Sequence, residues 1–280
     1  MKIYIIIAAF LMIQINVLYA KNPNQTKSIQ NLQKSQASSG SFITVGGDPN
    51  GCNFSSIQDA IDSVAVGGDT EIRIATNKIY SENLVIDDFS ISLIGGYDDC
   101  LDAGLPFGPG SDYSQVFGLI ETQAVLNILG NSARHNIVIQ NMKFTGNGNS
   151  GSLGGGIIIS GADARVVIDN ARINFNSAVV GGGLAVVGGN ADVELTSTLI
   201  DFNSAQVGGG GLYCAGNNSS IIIGKQSSVD LNTSIFNGLS VGGGIYAVSG
   251  CDISLYSSSV NGNEASSDGG GIYASGGARI

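Results

Sequence analysis

The sequence predicts an all-β protein, a right-handed parallel β-helix with an N-terminal amphipathic capping helix, and three repeated patterns predict it. A glycine run followed by an aliphatic residue recurs five times, ending on Ile157, Leu184, Leu212, Ile245 and Ile272 at spacings of 27, 28, 33 and 27 residues. Two aliphatics set two residues apart follow on the same beat: Val166 and Ile168, Val193 and Leu195, Ile221 and Ile223, Ile253 and Leu255. An apolar residue, two spacers and an asparagine precede the glycines, from Phe144 to Asn147, Ile173 to Asn176, Ile200 to Asn203, Val229 to Asn232 and Val260 to Asn263. Aliphatics at i and i+2 mark one face of a short strand. Each period therefore carries three short strands, no helix and turns between them, which is one coil of a stacked solenoid. At this repeat length residues 41–280 hold roughly nine coils.

The elements follow in chain order. Residues 1–20, MKIYIIIAAFLMIQINVLYA, read as a secretory signal peptide ending at Ala20. Leu18 stands where a small residue is usual, and an uncleaved membrane anchor is the alternative. Residues 21–40 are polar, poor in apolar groups and read as a disordered linker. A helix is predicted from Ser56 to Val64: Phe54, Ile57, Ala60, Ile61 and Val64 share one face, Ser55 with Gln58 fits a capping box, and Gly67-Gly68 is a stop signal. Solenoids expose strand edges at their ends, so this helix is expected to act as a lid. Strand-like alternation then takes over in TEIRIAT, NLVID and SISLIGGY.

In the repeats, Gly155 and Gly156, Gly182 and Gly183, Gly210 and Gly211, Gly243 and Gly244, and Gly270 and Gly271 close the five runs. Stacked coils lie about 4.8 Å apart, so a Cβ at a repeated corner meets its copies above and below. Glycine removes that clash and permits positive φ. Asn147, Asn176, Asn203, Asn232 and Asn263, at a repeated turn, are candidates for a side-chain amide ladder along the axis. The extra residues TSIFNGLSV in the fourth period are expected to protrude, with Phe236 as a candidate contact. The chain stops at SGGARI, in phase with SGADARV after Ile157, which predicts a C-terminally incomplete β-helix in a longer protein.

Composition narrows the chemistry. Charged residues make up 12 %, histidine occurs once, tryptophan is absent and the formal net charge is −10. Few groups remain for proton transfer near neutral pH, and the acidic balance argues against nucleic acid and against anionic membrane surfaces. No segment of the mature chain is expected to span a membrane. Four cysteines in an exported chain make disulfides plausible, in one of three pairings. Cys52 with Cys100 and Cys214 with Cys251 is favoured because each bond closes a loop within one region; buried free thiols are the alternative. Asp98, Asp99, Asp102 and Asp112 form the densest acidic group, a candidate calcium or sugar loop whose plain reading is a solvated turn. Between residues 141 and 280 the five basic residues Lys143, Arg165, Arg172, Lys225 and Arg279 are scattered. Carboxylates and a base converging on one face, as a calcium-assisted lyase needs, are not found. The calcium-binding nonapeptide is absent, no cofactor motif is present, and nothing indicates an oligomeric state.

The segment FSSIQDAIDSVAVGGDTEIRIATNKIYSENLVID resembles the start of pectin-lyase-like right-handed parallel β-helix proteins, where a capping helix leads to an IYSEN turn. The later repeats are similar to those of the polymorphic outer membrane proteins, whose signature is Phe-x-x-Asn followed by Gly-Gly-Ala and an aliphatic. FTGN at Phe144 fits the first half; the other copies have Ile or Val for Phe, and Gly replaces Ala. The resemblance covers residues 41–280 for the fold and about 141–280 for the repeat; the outer-membrane barrel of that family is not in this chain. IYSEN is also similar to the Gly-x-Tyr-x-Glu segment of pectin methylesterases, but Lys78 replaces the glycine and the aspartate motifs are missing. Tyr80 and Glu82 are thus read as a turn of the fold. The resemblance implies an adhesin-like structural and recognition module, secreted or at the cell surface or outer membrane, with an extracellular glycan or cell-surface ligand as partner. A polysaccharide lyase or glycoside hydrolase is the alternative.

Overall fold

A computed structural model describes residues 42–48, 51–64, 70–105, 108–130, 134–146, 153–161, 163–235 and 238–280. The expected signal peptide and linker, Asn147 and Phe236 lie outside the described residues.

The chain winds as a parallel β-helix. Its strands form stacks of eight, seven, six and four, and every pairing is parallel. One coil runs through Ala164–Asp169 in the eight-stranded sheet, Arg172–Asn174 in the six-stranded, Ser177–Val180 in the four-stranded and Leu184–Val187 in the seven-stranded. The repeated patterns stack in register. Ile157, Leu184, Leu212, Ile245 and Ile272 pair in succession, as do Val166, Val193, Ile221 and Ile253, and Phe144, Ile173, Ile200 and Val229. Apart from Ile272, which packs against it partly buried, these side chains fill one continuous core.

Two differences from the sequence reading have physical causes. The coil also holds a fourth short strand, whose buried side chains are few and small, Ala178 with Val180 in one copy, Ala205 and Ser234 in the next two, too little to leave a repeated alternating pattern. The seven-stranded sheet also counts about seven turns rather than nine. Ile91 pairs with Ile137, a step of 46 residues, because the loop after Tyr97 leaves the axis and consumes chain without adding a rung.

The glycine corners meet two demands, one on backbone conformation and one on space. The glycine three residues before each aliphatic carries the positive φ, as at Gly181 with φ 65° and Gly209 with φ 64°. The glycine directly before the aliphatic is crowded wherever another coil follows: a Cβ on Gly183 would stand 2.7 Å from the carbonyl oxygen of Gly211 in the next coil and 2.7 Å from Ile200. Beside the corner, Asn176, Asn203, Asn232 and Asn263 form a ladder. Each Oδ1 of the last three accepts the backbone N–H and the Nδ2–H of the asparagine one coil earlier, at 2.8–3.1 Å. Each Nδ2 also donates to a backbone carbonyl, from Phe144 to Val229 in turn.

The helix forms over Ile57–Asp62 with Ile57, Ala60 and Ile61 buried, while Phe54 and Val64 pack against the core partly buried. Its cap is Ser56, whose Oγ accepts the N–H of Asp59 at 3.1 Å, and not the expected Ser55. Gln58 is drawn away from any capping box because its side-chain amide pairs with the backbone of Val85, accepting its N–H at 2.8 Å and donating to its carbonyl at 3.2 Å. Both favoured disulfides are present, Cys52–Cys100 and Cys214–Cys251.

Candidate functional site

The residues of the IYSEN turn are consumed by the fold. The buried Tyr80 hydroxyl donates to the carbonyls of Ala75 at 2.8 Å and Val45 at 3.2 Å. Burial, followed by the charge of Glu82, pushes its phenol far above the usual range. The Glu82 carboxylate accepts the Ser56 hydroxyl at 2.9 Å and the N–H groups of Ile57 and Gln58 at 3.2 and 2.9 Å. It thereby satisfies orphan donors of the helix N-terminus. Asn83 pins the next coil, accepting the N–H groups of Leu119 and Ile120 at 2.9 and 2.8 Å and donating to the Ala124 carbonyl at 2.9 Å.

The acidic loop is organised in the same way. Asp99 caps a second short helix, Cys100–Ala103, its Oδ1 accepting the Asp102 N–H at 2.8 Å. Asp102 Oδ2 in turn accepts the Asp98 N–H at 3.2 Å. This is a reciprocal capping arrangement. Asp112 is exposed further along the loop. Arg73 holds the end of the short helix, donating to the carbonyls of Ala103 and Leu105 at 3.2 and 2.6 Å. Among the described residues no group of three or more His, Cys, Asp and Glu side chains converges to hold a metal ion.

Several charged side chains of the coils are paired with each other. Arg172 grips Asp201 through two hydrogen bonds, at 3.2 and 2.6 Å. Arg279 does the same with Asp252 at 2.7 and 2.6 Å. His135 meets Asp88 at 3.0 Å. Arg134 pairs with Asp192 and lies 3.9 Å from Asp163. The Ser220 hydroxyl, and then Arg134, hold the Asp192 carboxyl below the ordinary carboxylate range. A carboxylate so stabilised stays ionised at neutral pH and is a poor proton shuttle.

The feature that sequence reasoning missed lies one residue before the asparagine ladder. Gly146, Phe175, Phe202, Leu231 and Gly262 occupy successive copies of one corner, with φ of 84°, 55°, 54°, 57° and 61°. Phe175, Phe202 and Leu231 are 59 %, 45 % and 49 % exposed. The two phenyl rings stack, centroids 5.4 Å apart and planes within 9°. Phe117, also exposed, leans over Gly146 where a side chain would project, and Leu231 leans over Gly262 in the same manner. The result is an apolar stripe of four residues along the axis. On its flank Ser177, Ser204 and Thr233 stack in register. The signal was present in the sequence as the residue preceding each repeated asparagine, where three large apolar groups stand between two glycines.

A second ordered row lies on the outer face of the seven-stranded sheet. Tyr213, Tyr246 and Tyr273 pair in register with ring centroids 5.4 and 5.5 Å apart. Burial, and then its neighbour Tyr246, raise the Tyr213 phenol above its usual range. No family model and no curated protein matches this chain. Its chemistry therefore has to be read from these side chains: apolar faces in rows, hydroxyls beside them, and ion pairs already satisfied. Among the described residues no helix is long and apolar enough to cross a membrane.

Proposed function

We propose that the protein is a secreted or cell-surface recognition module, adhesin-like, that holds an extracellular glycan or a cell-surface ligand along the outside of its β-helix. The stripe of Phe117, Phe175, Phe202 and Leu231 carries this reading. A bulky residue held at left-handed φ costs on the order of 1–3 kcal/mol, and glycine fills the same corner at Gly146 and Gly262. A large apolar side chain there spends stability and gains exposure. Ordered exposed apolar rows mark contact surfaces, and the Ser177, Ser204 and Thr233 row offers hydroxyls to a ligand lying on the stripe.

Two disulfides support export, since such bonds persist in oxidising compartments. The same reading gives the helix Ile57–Asp62 the role of a lid on the first coil, supported by its face of Ile57, Ala60 and Ile61 within the core. It also takes the winding as right-handed, as parallel crossovers are, and the chain as akin to the pectin-lyase-like and polymorphic outer membrane repeat proteins.

The test uses the purified chain on a panel of polysaccharides, with and without calcium, beside the double variant F175S/F202S. Retention on one or more glycans by the parent, lost in the variant with an unchanged circular dichroism spectrum, is the expected result. Release of unsaturated or reducing sugar would replace the recognition reading with a lyase or hydrolase.

A further inference from the structure

The seven-stranded sheet turns an almost uncharged face to the outside. Among its described strand residues only Asp87, in the first strand, carries a charge, although the chain's formal net charge is −10. Two outward rows run along this face. One leads from Val85, Asn127, Ile158 and Ala185 to Tyr213, Tyr246 and Tyr273. Beside it stand Leu129, Ser160, Val187, Ala215 and Val248. The first row is uneven in height. Its late end is raised by three rings whose centroids lie 5.4 and 5.5 Å apart, and its middle member is the small Ala185. At its early end a cleft of about 160 Å³ is lined by Val85, Asn127 and Ile158 from the sheet and by Thr122, Gln123 and Leu153 beside it.

We propose that this face is the interface of a two-fold dimer, its occupant a second copy of the chain. A two-fold axis along the middle strand, Leu184–Val187, reverses the order of the coils and sets each rung opposite the one equally far from the centre. Ala185 then meets Ala185, and Val187 meets Val187. Tyr213 faces Ile158, Tyr246 faces Asn127 at the cleft, and Tyr273 faces Val85, so the raised end of each copy enters the recessed end of the other. An isologous contact requires a patch that fits itself in this way, and tyrosine is a preferred anchor for the pockets of such contacts. The area is sufficient. Seven strands about 4.8 Å apart, with the glycine corners leading into them, cover a face of roughly 29 by 20 Å. Two copies then bury on the order of 1,200 Å² together, the lower end for a stable interface. Charge selects the same face, because chains this acidic repel one another. Asp192 and Asp252 lie in the eight-stranded sheet, Asp201 and Asp230 in the six-stranded and Glu264 in the four-stranded. The stripe of Phe175 and Phe202 lies across the four-stranded sheet from this face and stays free on both copies, so pairing offers a ligand two contact lines.

Sedimentation equilibrium of the oxidised full chain over a range of concentrations tests the pairing. The expected mass is twice that of one chain, falling toward a single chain on dilution. Y246A, which withdraws a ring from the cleft, should raise the dissociation constant about thirtyfold, the loss expected of a tyrosine anchor. V187K and V187E each place like charges face to face on the axis, and either alone should sediment as a monomer with the parent's circular dichroism spectrum. Mixed in equal amounts they should pair again, because lysine then meets glutamate; that recovery also shows that both variants are folded. A parent mass of one chain at every concentration would overturn the proposal. So would a mass that keeps growing with concentration, the mark of a head-to-tail contact, or a dimer indifferent to Y246A or to both charge variants. A mixture that stays monomeric would remove the axis from Val187 and the proposal with it. Loss of the dimer in F175S/F202S would put the second copy on the phenylalanine stripe instead.

Discussion

The early and late coils of this β-helix are held together in different ways, and the difference is one of repetition. After Leu153 each coil meets the next through the same atoms, glycine carbonyl over glycine and asparagine amide over asparagine. Before it, each coil is tied by contacts that occur once. Glu82 caps a helix 24–26 residues earlier in sequence, Asn83 fixes a loop 36–41 residues later, and Cys52–Cys100 spans 48 residues. Repetition gives a cooperative array in which one wrong atom is felt by its neighbours above and below. Unique contacts allow departures from the axis, and the cleft at Asn127 lies among them.

The sharpest way to break the comparison is to load the stacked corner. G183V puts side-chain atoms where a Cβ alone would already stand 2.7 Å from the Gly211 oxygen. Backbone on adjacent coils has nowhere to go, and the expected loss exceeds about 4 kcal/mol, at the severe end for a point change. G108A in the early loop, where an added Cβ has nothing within 4 Å, should lie within about 0.5 kcal/mol of the parent. Thermal unfolding followed by circular dichroism separates them. Similar melting temperatures for the two would show that the corners are not close-packed.

Next in size are the polar ties of each half. N203A removes the middle of the ladder: the Asn176 N–H loses the amide oxygen it donates to and the Ile173 carbonyl loses a donor, while the Asn176 and Asn232 side chains each give up one of two bonds, keeping the Phe144 carbonyl and the residue-203 N–H. With each buried unpaired group costing about 1–3 kcal/mol, a loss of roughly 3 kcal/mol or more is expected by urea unfolding. E82A takes one carboxylate from the part-buried first turn of a helix, leaving the Ser56 hydroxyl and the N–H groups of Ile57 and Gln58 without it. A loss of about 1–2 kcal/mol, the size of a lost cap, is expected there. A larger cost for E82A than for N203A would reverse the ranking of repeated over unique contacts.

The same division explains what could be read from the residues. The later coils were legible because Ile157, Leu184, Leu212, Ile245 and Ile272 each solve one packing problem, so the period exposes the fold. The unique ties of the early half leave no such trace. Nothing near Glu82 in sequence announces a helix to cap, and Ser55 and Ser56 are equivalent until that carboxylate arrives. The 46-residue step at Ile91 could not be told from two coils by length alone, which inflated the expected number of turns. Phe175 and Phe202 escaped notice because a large residue at left-handed φ violates the local rule for that corner. Rule-breaking positions are where function is expected to leave its mark.

The smallest expected effect concerns charge on the outside of the later coils, where Asp192 accepts the Ser220 hydroxyl at 2.6 Å and pairs with Arg134. Its folded carboxyl sits below its unfolded value, chiefly through Ser220. The stabilisation is therefore fully present above the unfolded carboxylate range and is lost as pH falls through the folded value. With Asp192 45 % and Arg134 50 % exposed, solvent screening keeps the whole effect below about 1 kcal/mol. Comparing unfolding free energies at neutral and acid pH, D192N should lose less on acidification than the parent. S220A should flatten the profile more than added salt does, because salt weakens the contribution of Arg134 and leaves the hydroxyl in place. If salt alone removed the difference between parent and D192N, the ion pair rather than the hydrogen bond between neighbouring coils would govern this corner.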